Sequence, residues 1–224
     1  MIRSTLTIAG KDLRLAFAGG QGPVQAILLG LLLVFLFSLS AAPGDLFSSQ
    51  QGMAIFWLCS SFAVVLIFSL LFRFEEENDT ATALILSPAP IQSLWLGKTL
   101  AGAILLGLCQ IFFFLAAVVF LSLDVQGSPA LLLLMIVSVD VGLCVLGGLM
   151  GAMGHGQGAK DTLLTIILFP LQVPLLLGGI RIGTEVLYGA LAVDVAQWFG
   201  LILAFDAVFS GAALFLFSHV FRGE

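Results

Sequence analysis

The sequence predicts an all-α polytopic membrane protein, with six transmembrane helices, an N-terminal amphipathic interfacial helix and both termini cytoplasmic. Three observations predict it. Of 224 residues, 60% are hydrophobic and 9% charged, against about 25% charged in a soluble domain. The mean hydropathy is +1.18. No charge occurs from Leu15 to Gly44, from Leu46 to Phe72 or from Thr99 to Leu123, and each interval exceeds the ~20 residues that carry a helix across a hydrocarbon core. The apolar runs are continuous rather than alternating, which argues against membrane strands.

The first element is amphipathic. Within residues 2–17, Arg3, Thr7, Lys11 and Arg14 recur at helical spacing, and Ile2, Leu6, Ala9, Leu13 and Phe17 recur on another side. A helix with a basic polar face is suited to the inner interface, beside anionic lipid. Gly19, Gly20, Gly22 and Pro23 end it, so it is expected within 1–22. It is either a plain anchor or an elbow that moves with a conformational cycle.

Six spans follow, at 23–42, 53–73, 94–121, 129–153, 162–180 and 198–219. Ser40-Ala41-Ala42 resembles a signal cleavage site, but the first apolar run is longer than the ~7–15 residues of a signal core, so it is read as a span. Basic residues set the orientation. Arg3, Lys11, Arg14, Arg73, Lys98, Lys160 and Arg222 fall on the side of the N-terminus and Arg181 alone on the other, which places both termini inside. Connections between spans reach only ~20 residues, too few for a soluble domain of ~50. The chain is thus one membrane domain over 1–224, and its energy source is expected in a partner or a gradient.

The segment 75–92 carries a second cytoplasmic element. Glu75, Glu76 and Glu77 precede Asn78 and Asp79, either of which can cap a short helix, with the acids complementing its positive end. Pro88 and Pro90 stop it before the third span. Its apolar tip, Leu84-Ile85-Leu86, either fills a groove on a cytoplasmic partner or lies at the headgroups.

Within the membrane, Asp140 and Asp206 stand out, because an ionised group near mid-bilayer costs several kcal/mol. Asp140 lies ~15–17 Å and Asp206 ~12 Å below the external end. They either share a polar region or each bond a neighbour such as Gln110 or Gln172. Helix-packing glue and a part in translocation or proton coupling are both open readings. In the fourth span Gly142, Gly147, Gly148 and Gly151 permit close helix approach. In the fifth, Pro170 and Pro174 form a kink pair that frees backbone carbonyls.

Other signals exclude chemistry. A net charge of −5 with few Lys and Arg argues against nucleic acid. Cys59, Cys109 and Cys144 have no CxxC spacing and read as small core residues. Gly97-Lys98-Thr99 mimics the end of a P-loop, but Gln92 stands where the first Gly is required and no strand precedes it, so ATP binding is rejected. Gly154, Gly156 and Gly158 around His155 read as a turn. Neither His155 nor His219 has a partner at metal-ligand spacing, and no catalytic constellation is seen.

Along essentially its whole length the chain resembles the CcmB-type haem exporter permeases of the cytochrome c maturation system, which are ABC-2-type membrane subunits. The resemblance is carried by Lys11-Asp12-Leu13-Arg14-Leu15-Ala16-Phe17, by Leu71-Phe72-Arg73 and the acids after it, by Leu84, Pro88, Pro90 and Lys98, and above all by the paired-proline stretch from Leu163 to Leu176. The family often has Gly and then Glu after the acidic cluster, where this chain has Asp79 and Thr82; His155 and Asp206 match no family motif.

The resemblance implies that 75–90 is the coupling helix docking on an ATPase subunit (CcmA-like), with ATP bound only there and no enzymatic activity in this chain. It implies association with a haem-handling membrane protein (CcmC-like) and a small membrane protein (CcmD-like), and delivery of haem to, or release of, a periplasmic haem chaperone (CcmE-like). Haem is then the expected transported substrate, no cofactor is held covalently, and the bacterial inner membrane is the expected location. A second copy of the chain is a further expected partner. Two alternatives stand beside this: a scaffold whose ATP-driven movement frees the loaded chaperone without translocation, and an ABC-2 permease for another lipid-like substrate.

Overall fold

The computed structural model describes residues 1–19, 21–40, 47–77, 90–154, 160–189 and 194–222, with backbone alone at 21–22, 76–77, 153–154, 160–167, 194 and 218–222. These residues form seven α-helices: α1 Ile2–Gly19, α2 Gln21–Ser40, α3 Ser49–Glu77, α4 Ile91–Phe120, α5 Pro129–Gly154, α6 Lys160–Leu187 and α7 Asp194–Arg222. Each of the six expected spans coincides with one of α2 to α7, and the expected amphipathic helix is α1. Among the described residues, five helices (α2, α3, α4, α5 and α7) are long and apolar enough to cross a membrane by length and composition. The chain is a multi-pass membrane protein.

The axis of the bundle is α3, which packs against α2, α4, α5 and α6. Its apolar span is 72% buried, whereas those of α2 and α7 are 22% and 17% buried. The outer faces are as apolar as the inner ones: Leu28, Leu32 and Leu36 on α2 and Leu203, Val208 and Phe215 on α7 are exposed. With hydrocarbon on both sides there is little hydrophobic gain from association, so close packing and internal polar contacts hold the helices together. Glycines supply the close packing. The Phe68 ring of α3 lies over Gly102 of α4 and Gly147 of α5, where an added Cβ would come within 2.4 Å of ring atoms. Phe72 sits in the same way over Gly151, as the glycine pattern of the fourth span predicts.

Polar contacts tie the helix ends. At one end Ser38 Oγ donates to the Phe120 carbonyl at 2.9 Å, and Gln126 N–H donates to the Leu187 carbonyl at 3.1 Å. Gly127 in that loop runs so close to the Val186 carbonyl that a side chain there would overlap it. At the other end α1 lies across the start of α4, where Gly97 leaves room for Ile8 and the Thr5 carbonyl.

Two sequence expectations shift. The acids Glu75–Glu77 are the last residues of α3, and the short helix expected after them lies outside the described residues. A carboxylate there faces the negative end of a helix dipole, and for Glu75 two lysines offset the cost, as described below. The helix α1 also does more than lie at an interface. Ala9, Asp12 and Ala16 are buried, so one face is occupied by protein, while Ile2, Leu6, Phe17, Arg3 and Arg14 remain exposed.

Candidate functional site

Where α1, α3 and α4 meet, four charged side chains form a neutral cluster. Lys98, in the second turn of α4, places Nζ 2.6 Å from Glu75 Oε2 and 3.4 Å from Asp12 Oδ2. It donates to the Leu71 carbonyl at 2.6 Å and lies 4.7 Å from the centre of the Phe72 ring. Lys11 Nζ donates to Glu75 Oε1 at 3.0 Å and lies 3.0 Å from Asp12 Oδ1. Asp12, Glu75 and Lys98 are fully buried, while the Lys11 side chain is 39% exposed. Buried charges persist only when paired, and here two ammonium groups meet two carboxylates. Burial alone would lower the Lys11 pKa, but the fields of Asp12 and then Glu75, with hydrogen bonds to both, raise it above its ordinary value. The cluster fastens the end of α3 to the start of α4, on either side of 78–89, and fastens α1 to both.

A second constellation lies at mid-helix depth. Gln110 Nε2 of α4 donates to Asp140 Oδ1 of α5 at 2.7 Å and to Ser60 Oγ of α3 at 3.3 Å. Ser60 Oγ in turn donates to the Phe56 carbonyl at 2.9 Å. On the neighbouring side of α3, Ser61 Oγ donates to Gln172 Oε1 of α6. Ser60, Ser61, Gln110, Asp140 and Gln172 are all buried. Asp206 of α7 is buried too, with Oδ1 over Gly142 of α5 and no hydrogen-bond partner for that oxygen.

Of the two open arrangements, Asp140 follows the second and bonds a neighbour, Gln110. Gln172 bonds Ser61 rather than Asp206, and no hydrogen bond between the two aspartates occurs among the described residues. Helix α6 continues through both Pro170, which is exposed, and Pro174. Cys59, Cys109 and Cys144 are free and buried, as core residues would be. Among the described residues no group of three or more His, Cys, Asp or Glu is placed to hold a metal.

Of the expected coupling residues, Glu75 belongs to the buried cluster and Pro90 is exposed just before α4. Glu76 and Glu77 lie in the last turn of α3, with backbone alone described. Asp79, Leu84, Ile85, Leu86 and Pro88 lie outside the described residues, as does His155. Sequence reasoning missed the pairing of Asp12 and Lys98, counting Lys98 as an orientation signal, a rejected P-loop mimic and part of the family resemblance but not as a buried ion-pair partner. A lysine inside an apolar span and an aspartate in a basic helix each ask for a partner, and that was the available clue. The serines Ser60 and Ser61 carry no such clue, because lone serines are common in membrane helices.

A family model described as CcmB protein matches residues 3–223. The chain is similar to the Heme exporter protein B of Rhodobacter capsulatus, 31% identical over 214 residues that cover 92% of this chain and 95% of that one. The protein of the same name from Pseudomonas aeruginosa is 26% identical over 172 residues, 77% of each chain. That from Haemophilus influenzae is 27% identical over 172 residues, again 77% of each.

Proposed function

The chain belongs to the CcmB family, and we propose that it is the membrane permease subunit of an ABC-type haem exporter that serves c-type cytochrome assembly. The observation that carries this reading is the full-length likeness to proteins named as haem exporters. The proposed location is the bacterial inner membrane, with six crossings and both termini inside.

The geometry suggests how such a subunit could be driven. ATP is bound and hydrolysed by a separate CcmA-like subunit, which docks on 75–90. A push on that segment reaches the ends of α3 and α4, and the buried cluster of Lys11, Asp12, Glu75 and Lys98 passes it to α1 as well. Because charge removal at one member strands its buried partners, the three helix ends are expected to move together. CcmC-like and CcmD-like membrane proteins complete the assembly, and a CcmE-like chaperone receives the haem outside.

Replacing Leu84, Ile85 and Leu86 together by Ser is expected to weaken association with the ATPase subunit while membrane insertion stays intact. Normal co-purification of that variant would reject the docking assignment. Transport itself is tested with the assembled complex in sealed vesicles loaded with haem on the ATPase side. ATP-dependent appearance of haem on the chaperone side supports translocation. Release of preloaded chaperone without haem movement would instead make the subunit a mechanical transmitter.

A further inference from the structure

The buried stripe of α7 consists of Val195, Ile202, Asp206, Ala213 and Phe217, which recur at helical spacing on one face. Four members are apolar and the fifth is Asp206, the central residue of the apolar span Val195–Phe217. Asp206 is 7% exposed. Its Oδ1 lies over Gly142 of α5, beside Leu175 of α6, where a Cβ on residue 142 would overlap both. That oxygen has no hydrogen-bond partner. The titratable and charged groups of the helices packed on α7 are engaged or distant. Asp140 of α5 is held by Gln110, and Lys98 of α4 by Glu75 and Asp12. Cys144 of α5 and Cys109 of α4 are buried free thiols. On α6, Arg181 and Glu185 stand about 9 and 15 Å beyond Leu175 along the axis, and Lys160 and Asp161 more than about 20 Å the other way. On α7 itself Asp194, His219 and Arg222 are each about 18 Å or more from Asp206 along the axis.

We propose that Asp206 is a proton-binding site built into the α5–α7 contact, loaded while the two helices pack and emptied to water when they part. An ionised carboxylate at mid-span needs donors or a cation, and a buried group with neither takes up a proton instead. The neutral acid suits the apolar stripe, and the carboxylate does not. Asp140 shows the contrast, because Gln110 Nε2 donates to its Oδ1 at 2.7 Å. Separation of α7 is the step that admits water, since its span is 17% buried, the lowest among the five candidate spans. As the carboxyl leaves Gly142, its O–H bond breaks, the electron pair stays on the carboxylate and the proton passes to water. Closure takes one proton up again. Rising pH therefore favours the parted helices, and falling pH the packed ones. The proposal rests on the α5–α7 geometry and is independent of the cargo and of the ATPase.

The test is infrared difference spectroscopy of the full chain in lipid nanodiscs. Asp206→Asn keeps the shape of the neutral acid, so wild type minus this variant isolates the signal of one carboxyl. At neutral pH the difference is expected to contain the carbonyl band of a protonated carboxylic acid, which gives way to a carboxylate band as pH is raised. Gly142→Ala crowds Asp206 away from α5 and is expected to bring that change about one pH unit lower, a tenfold weaker hold on the proton. Leu175→Ala uncovers the carboxyl without crowding it and is expected to shift the change the same way. Gly211→Ala on α7, where a Cβ meets nothing within 4 Å, is expected to leave it in place. A carboxylate band already present at neutral pH would overturn the proton site, as would a protonated band that persists to the alkaline limit of folding. Loss of the band at the same pH in wild type, Gly142→Ala and Leu175→Ala would overturn its link to the α5–α7 contact.

Discussion

Lys98 shows how one residue can set the arrangement of three helices. It is fully buried, yet it contacts two carboxylates, a backbone carbonyl and an aromatic face. Lys98→Met keeps the volume and removes the charge, leaving Asp12 and Glu75 to share Lys11. Breaking a buried pair in this way costs about 3–5 kcal/mol, so a marked drop in the thermal unfolding midpoint in detergent is expected. Adding Glu75→Gln removes the stranded carboxylate and is expected to recover part of the loss, whereas a double variant no more stable than the single would contradict the ion-pair account. The pH dependence has a definite sign. Because the Lys11 pKa is raised on folding, its contribution is fully present below the unfolded lysine value of about 10.4 and is lost as pH climbs through the folded value. Unfolding midpoints followed from neutral to strongly alkaline pH are therefore expected to stay level with respect to Lys11 until beyond about pH 10.

At the scale of the element, hydropathy and charge spacing located each helix of the described residues, because a membrane helix is specified by length and composition. What they could not locate was the point at which a helix stops when its neighbours are charged. The acids after Phe74 read as the beginning of something new, yet α3 continues to Glu77 because Lys11 and Lys98, distant in sequence, receive Glu75. The faces of the helices were legible only where glycine marks them. Gly147 lies in such a stripe, and its substitution by Ala would drive a Cβ to 2.4 Å from the Phe68 ring. Overpacking of this kind costs about 1–3 kcal/mol. Gly211 of α7 has nothing within 4 Å of an added Cβ, so Gly211→Ala is expected to be neutral or to stabilise by up to about 1 kcal/mol. Equal midpoints for the two variants would remove the packing role given to the glycine stripe.

For the whole molecule the number of crossings decides which features face the side of the proposed ATPase. Helix α6 contains charges near its end and two internal prolines, which makes it the least uniform of the proposed spans. Its course nevertheless supports a full crossing. Helix α5 starts just after the 121–128 loop, and the far end of α6 returns to that same loop through the bond from Gln126 N–H to the Leu187 carbonyl. Six crossings put Arg3 and Arg222 on the same side, and five put them on opposite sides. The three native cysteines are buried, so single cysteines can be introduced over a low background. With a membrane-impermeant thiol reagent, Arg3→Cys and Arg222→Cys are expected to react only in inside-out vesicles, and Arg181→Cys, exposed near the far end of α6, only in right-side-out vesicles. Reaction of Arg222→Cys from the outside would mean that one helix fails to cross. If α6 is that helix, the loop after α5 keeps the side of 78–89, the α6–α7 connection joins it there, and α7 alone then crosses away from the side on which the proposed drive acts.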